Sequence, residues 1–491
     1  MAPHLPVLQV VIPLLAAPAC VLLRRAALCW ALAAAVAATA LAVSLLLLLR
    51  TLEAGTVSYA LGGWAAPWGI EYRVDPLNAF VLAVVSAVFA VVTGFVRQSA
   101  AKEIDPQRLY LFYAMLLLCF TAALGIVVTG DAFNVFVFLE ISSLSSYVLI
   151  SLGRDRRALI AAYRYLVLGT IGATFILIGI GLAYMQTGTL NMADLAQRLK
   201  PLAGNRTVQV SFAFLTVGIG LKLALLPLHL WLPNAYTYAP SAVSAFLAGT
   251  GTKVSAYVLL RFVFTIFGAS LAFDRLPLAW VLTPLAAAAI VVGAVVAVFQ
   301  NDLKRLLAYS TVSQVGYIAL GIALHNPDGL TASVVHLLNH ALIKVGMFLA
   351  LGCVMYRLGT VRLQALEGLA ARMPLTCAAF LAGGLGLIGM PLTAGFVSKW
   401  YLVKGALAAG WWPAALLVLL SSLIAVVYVW RVAEVLYRRR EGPLPALAEA
   451  PPALVLSCWL PIGASLYFGT DSSGPGGSAA RAAGMLLGGA P

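Results

Sequence analysis

Four lysines and one glutamate stand inside long apolar runs. Lys222 interrupts Phe212 to Leu226, and Lys253, Lys344 and Lys399 each lie in further runs of the same kind. Glu140 sits in Phe136-Val137-Phe138-Leu139-Glu140-Ile141-Ser142. A charged side chain at the middle of a bilayer costs about 3 kcal/mol or more, so such groups face a bundle interior and mark ion or proton pathways. Opposite charges offset each other's desolvation, which makes Glu140 the expected ion-pair partner of Lys222. Contact with Glu140 would hold the Lys222 ammonium charged, and losing that contact would let desolvation strip its proton. Alternating the pair could load and release a proton. The choice of cation supports this: of eight lysines four lie inside predicted spans, against two of 23 arginines, Arg164 in the first turns of its span and Arg261, placed near a span end and expected to snorkel. Arginine stays charged, whereas a buried lysine can lose its proton.

His336, His340 and Lys344 follow one another at i, i+4 and i+8, so they share one helix face over about 12 Å. No Cys or further His is near in sequence, and Glu does not follow His336 as in a zinc-protease motif. A hydrated proton relay fits better than a metal site, and no metal is expected. Lys253 sits in Gly249-Thr250-Gly251-Thr252-Lys253, where small residues admit a neighbouring helix or water. His229 is expected at a helix end, Asp131 as a helix cap, and Asp302 with Lys304 and Arg305 in a solvated loop. No phosphate-binding glycine loop, nucleophile motif, haem-ligand pair or iron–sulphur cysteine set is present, so no cofactor and no enzymatic chemistry is expected. The six cysteines are scattered and read as small apolar fillers.

These residues need membrane helices to hold them. Hydrophobic residues make up 62% of the 491 and charged ones 10%, against about 25% charged in soluble domains. The composition predicts an all-α polytopic membrane protein with about 14 transmembrane helices. The spans fall near 5–23, 27–49, 77–96, 109–128, 132–151, 159–184, 208–230, 240–267, 277–299, 306–324, 329–356, 375–403, 411–430 and 452–469. Two are interrupted, by Pro227 just beyond Lys222 and by Pro391 just before Lys399. Proline lacks an amide hydrogen and opens the helix, and a broken helix beside an ionisable group is how many transporters build an ion site. The breaks lie five spans apart, which predicts two inverted five-helix repeats over 109–267 and 268–430. Helices 1–3 (1–108) precede them, and a last helix with a loosely ordered Gly/Ser/Ala tail (431–491) follows. The net charge of +14 comes from short loops between apolar runs, which excludes a nucleic-acid partner. Eighteen Lys and Arg fall on one side of the predicted topology, among them Arg438, Arg439 and Arg440, and eight on the other. The positive-inside rule then predicts a cytoplasmic-membrane protein with both termini outside.

Several of these stretches resemble the antiporter-like proton-pumping subunits. They are Phe-Val-Phe-Leu-Glu140-Ile, Lys222-Leu-Ala-Leu-Leu-Pro227-Leu-His-Leu-Trp-Leu-Pro233-Asn-Ala, Lys253, Tyr309-Ser-Thr-Val-Ser-Gln-Val-Gly-Tyr317, the His336/His340/Lys344 helix and Gly389-Met-Pro391-Leu-Thr-Ala-Gly-Phe-Val-Ser-Lys399. The family includes membrane components of respiratory complex I and the A-type and D-type components of Mrp-type multi-subunit cation/proton antiporters. Gly188-Thr-Leu-Asn-Met-Ala-Asp194, the length and a chain that stops soon after the last span look most like the Mrp D-type component. The resemblance implies a proton relay through Glu140, Lys222, Lys253, His336, His340, Lys344 and Lys399. It also implies partners among other hydrophobic antiporter subunits and exchange of protons against Na+ or K+. A proton-pumping subunit of a complex I-like oxidoreductase is the alternative. A solitary solute symporter would use similar broken helices.

Overall fold

A computed structural model describes residues 4–438 and 448–488, so Arg439 and Arg440 of the basic cluster lie outside the described residues. The chain opens with α1 (Leu5–Leu23), α2 (Ala26–Ala54) and α3 (Pro76–Glu103). Between α2 and α3 runs an antiparallel hairpin, β1 (Val57–Ala60) and β2 (Glu71–Val74), with Val57 opposite Val74. Next come α4 (Leu109–Val128), α5 (Ala132–Ser151), α6 (Arg157–Thr187), α7 (Met192–Leu199), α8 (Arg206–Leu223), α9 (Trp231–Tyr238) and α10 (Ser241–Leu260). They are followed by α11 (Leu278–Val298), α12 (Leu303–Leu324), α13 (Pro327–Leu358), α14 (Pro374–Ile388), α15 (Ala394–Ala408) and α16 (Trp412–Tyr437). The described chain closes with α17 (Pro452–Thr470) and α18 (Ser473–Leu486). Among the described residues twelve helices have the length and apolarity to cross a bilayer. The stretch 208–230, expected as a span, is helical only to Leu223 and α9 begins just past it, while 375–403 is divided between α14 and α15.

Both divisions end their first helix in the same way. At α8 the Ala224 amide donates to Leu221 and the Leu225 amide to Gly220, with Ala224 in the left-handed region at φ 60°. At α14 the Gly389 amide donates to Gly386 and the Met390 amide to Leu385, with Gly389 at φ 82°. These paired bonds are a Schellman ending, which closes two carbonyls and leaves the last ones open. The helix therefore stops before each proline. Gly395, at the start of α15, lies so close to the Gly386 carbonyl that an added Cβ would collide with its oxygen.

A second pair of features recurs along the chain. The segment before α5 pairs with the segment before α7: Ala132 donates to Leu190, and Met192 to Gly130. The segment before α12 pairs likewise with the one after α13: Leu303 donates to Val361, and Leu363 to Asn301. Asp131 caps α5 through the Asn134 amide, and Asp302 caps α12 through that of Arg305. Every counterpart lies the same number of positions further on, 131 to 302 and 191 to 362 among them.

α10, α12 and α13 are almost wholly buried at the centre, whereas α6, α11 and α16 expose wide apolar faces, as contact with lipid or neighbouring helices requires. Two expectations need correction. The tail is not loosely ordered throughout: α18 packs on α3 and α13 through Ala479, Ala482, Ala483 and Leu486, small side chains that allow close approach. Arg261 does not snorkel. It is buried where α10 passes into a π-helical turn, and both Asp75 carboxylate oxygens accept from its guanidinium at 2.5 Å. Asp75 caps α3, so the pair ties the start of α3 to the end of α10.

Candidate functional site

The Schellman ending puts Lys222 in the last turn of α8, where its side chain crosses to α5. Its Nζ lies 3.3 Å from Glu140 Oε1 and donates to Ser143 Oγ at 2.6 Å. The expected pair thus touches. Lys222 is buried, while the Glu140 side chain keeps 28% of its surface exposed. Trp231, at the start of α9, donates to the Leu221 carbonyl at 2.9 Å and stacks on Tyr165 of α6, which seats the second half-helix against the first. A cavity of about 30 Å³ beside Lys222 is lined by Ser142, Ser143 and Ser146 of α5 and by Thr250, Gly251 and Ser255 of α10. The rest of its lining is largely apolar, with Leu139, Tyr165, Trp231 and Leu247 among it, and its volume has room for about one water.

Lys253 is fully buried on α10. Its ammonium donates to the Ala248 carbonyl and, at 3.4 Å, to Thr252 Oγ1. The glycines beside it act as expected, since at Gly249 any Cβ would collide with Val345 of α13 and Val88 of α3. On α13, His336 and His340 stack with centroids 5.7 Å apart, and His336 Nδ1 meets Ser398 Oγ of α15 at 2.8 Å. Both ring nitrogens of His340 and Nε2 of His336 are buried without a hydrogen-bond partner. Lys344, one turn on, donates to the Leu307 carbonyl at 2.8 Å and to Ser310 Oγ, both on α12. His340 lies between His336 and Lys344 on one face of α13, and that helix packs on α10, which carries Lys253, and on α15, which carries Lys399.

Lys399 meets the second break differently. Its Nζ donates to the open carbonyls of Leu387 at 3.0 Å and Ile388 at 2.9 Å and to Ser422 Oγ at 2.8 Å, and it lies 5.0 Å over the Tyr317 ring. The end of α14 thus offers the negative end of a helix dipole to a cation from α15. Among the described residues Lys253, Lys344 and Lys399 make no ion pair with an acid, and no three His, Cys, Asp or Glu gather as a metal site would need.

One residue was misplaced by the sequence. Lys304 is not in a solvated loop: α12 begins at Leu303, three residues before the expected span, and Lys304 is 2% exposed, donating to the Ala239 carbonyl at 3.0 Å. Its partner is a backbone oxygen at the end of α9, for which sequence carries no signal. His229 lies just before the Leu230 cap of α9, near the helix end expected, and its carbonyl accepts from Leu232. Asp131 does cap α5. The serines that receive these lysines, Ser143, Ser310 and Ser422, were not singled out. Their one signal is a hydroxyl at a helix position facing a buried cation.

The family model described as NADH:quinone oxidoreductase/Mrp antiporter, TM, matches residues 129–425, the stretch that carries all seven relay candidates. The N-type component of NADH-quinone oxidoreductase from Desulforudis audaxviator is 45% identical over 456 residues, 92% of this chain and 90% of that protein. The D-type component of the Na(+)/H(+) antiporter from Bacillus subtilis is 30% identical over 87% of this chain and 85% of its own. A chain in the structure of the Mrp complex from Dietzia sp. DQ12-45-1b superposes with a TM-score of 0.91 at 28% identity, covering 99% of this chain and 97% of that one.

Proposed function

The chain belongs to the NADH:quinone oxidoreductase/Mrp antiporter membrane family, and from there we propose that it is a proton-translocating subunit of a multi-subunit Na+(K+)/H+ antiporter. The observation that carries the proposal is the Lys222–Glu140 contact of 3.3 Å, set in apolar helices beside a break. Proton uptake at Glu140 or loss from Lys222 changes the charge of the pair. The cavity between α5 and α10 gives water a place between Lys222 and the helix of Lys253. From Lys253 the charge passes along α13 through Lys344, His340 and His336 to Lys399, which the open end of α14 holds. Lysine suits each station because it can exist with and without its proton.

The recurring clips and helix endings support two five-helix repeats, 109–267 and 268–430. The uneven spread of Lys and Arg supports an inner-membrane topology with both termini outside. The partners are other hydrophobic antiporter subunits, and the transported ions are protons and Na+ or K+. The likeness to the Mrp complex chain and to the D-type antiporter component supports this choice. The 45% identity to an N-type NADH-quinone oxidoreductase component favours a second reading, a proton-pumping subunit of a redox-driven complex, whose lysine chemistry would be the same.

One experiment separates the two. The complex is purified in mild detergent through a tag on this chain, its subunits are identified by mass spectrometry, and it is reconstituted into vesicles. Small hydrophobic partners and a pH change driven by Na+ or K+ are expected. Flavin- and iron–sulphur-bearing partners, with a pH change driven only by electron transfer, would replace the first reading by the second.

A further inference from the structure

The Lys222 cavity shares no lining residue with the surface cavities of the cation-rich face. Two large cavities do open on that face, of about 430 Å³ and 410 Å³, and both are lined by Glu103, Gly153 and Arg154. Glu103 ends α3. Its Oε2 accepts from the Ser241 amide at 2.8 Å and from Ser241 Oγ at 3.1 Å, while Oε1 is not hydrogen-bonded among the described residues. The larger cavity also reaches Lys304. Glu103, Asp155 and Asp302 are the acids that line that cavity with it.

The other charged groups around the cavity are largely committed. Arg157 holds Asp155 at 2.5 Å, Lys102 lies 3.7 Å over the Tyr356 ring, and Asp302 caps α12, which leaves Arg154 and Arg362. One turn along α12 from Lys304 is Leu307, whose carbonyl accepts from Lys344, and Ser310 of the next turn accepts from the same ammonium. A buried amine and a half-buried carboxylate thus line one open cavity, and about 5 Å of helix rise separates the amine's residue from Leu307, where Lys344 donates.

We propose that Glu103 and Lys304 form the port through which protons enter the relay from the cation-rich face, feeding Lys344 along α12 instead of starting at Lys222. The proposal rests on the proton-translocating reading above. In the step, the Glu103 carboxyl gives its proton to the neutral Lys304 amine, leaving a carboxylate and an ammonium. The ammonium passes a proton to neutral Lys344 through water hydrogen-bonded along Leu307 and Ser310, and Glu103 takes its next proton from bulk water. A residue that only clamped the Ala239 carbonyl could as well be arginine, which this chain uses 23 times against eight lysines and places next in sequence at Arg305. Only lysine can be emptied of its proton.

The test uses the intact complex in vesicles. Lys304→Arg keeps the donor and the positive charge but cannot release a proton. It and Glu103→Gln are expected to assemble normally and lose proton transport, while Glu103→Asp recovers part of it. Lys304→Arg transporting at the wild-type rate, with Lys222→Ala inactive beside it, overturns the port and leaves the relay standing. Wild-type complex that moves no protons under any driving force overturns both. A second readout does not depend on turnover. Glu103→Cys should be labelled by a membrane-impermeant maleimide added on the cation-rich side, and labelling from the other side alone would also dismiss the port.

Discussion

The two broken helices end their first halves with the same hydrogen bonds and then treat their lysines in opposite ways. At the first break the cation belongs to the helix that stops, and it turns sideways to a carboxylate, Glu140. At the second it belongs to the helix that restarts, and it turns back onto two backbone carbonyls and a hydroxyl. By the shift that relates the two clips, the counterpart of Glu140 is Thr311, so the second half has no acid to offer. An ion pair can change its net charge by moving one proton or by parting, whereas carbonyl oxygens neither protonate nor part from their helix. On the proposed function, the switch belongs to the first break and a fixed receptor to the second.

Removing the pair is the severest test of that division. Lys222→Ala or Glu140→Ala should abolish proton transport in vesicles while the complex assembles at normal yield, and full activity in well-assembled Lys222→Ala would end the switch assignment. A subtler variant converts the receptor into a second switch. Ser422→Asp puts a carboxylate within reach of Lys399, and the stronger hold on its proton should slow turnover several-fold while leaving cation selectivity alone, as initial rates would report. Gly395→Ala tests whether the second break needs its close approach. The added methyl must push α15 from the Gly386 carbonyl, at a cost of about 1–3 kcal/mol, seen as a lower melting temperature of the complex. Smallest is Ala224→Gly at the first break. Relieving a left-handed alanine should raise stability by up to about 1 kcal/mol, and a drop in melting temperature would mean that the alanine side chain is needed there.

Much of this was legible in the sequence because the signals were local. Apolar length marked the spans, two prolines marked the breaks, and the four-residue spacing of His336, His340 and Lys344 put them on one face. The Glu140–Lys222 contact followed from charge pairing in a medium that tolerates few charges. What escaped was set by distant partners. Arg261 and Asp75 are far apart in the chain, and nothing near Arg261 announces the acid that buries it. Lys304 sits beside Asp302 and Arg305, a charge run that reads as solvated until α12 is seen to start at Leu303. The tail has the composition of a loose segment, yet its alanines are what let α18 pack closely.

The two clips carry a mechanical consequence. Each pins the start of one helix to a segment more than fifty residues away through a pair of backbone hydrogen bonds, so the ends of α5 and α12 are held like the fixed ends of beams. Displacement during a cycle is then concentrated in the unpinned half-helices α8, α9, α14 and α15 and in side chains, with a stationary frame around them. Amide hydrogen exchange should therefore be slow at Ala132, Met192, Leu303 and Leu363 with or without a proton gradient, while the amides flanking Ala224 and Gly389 respond to it.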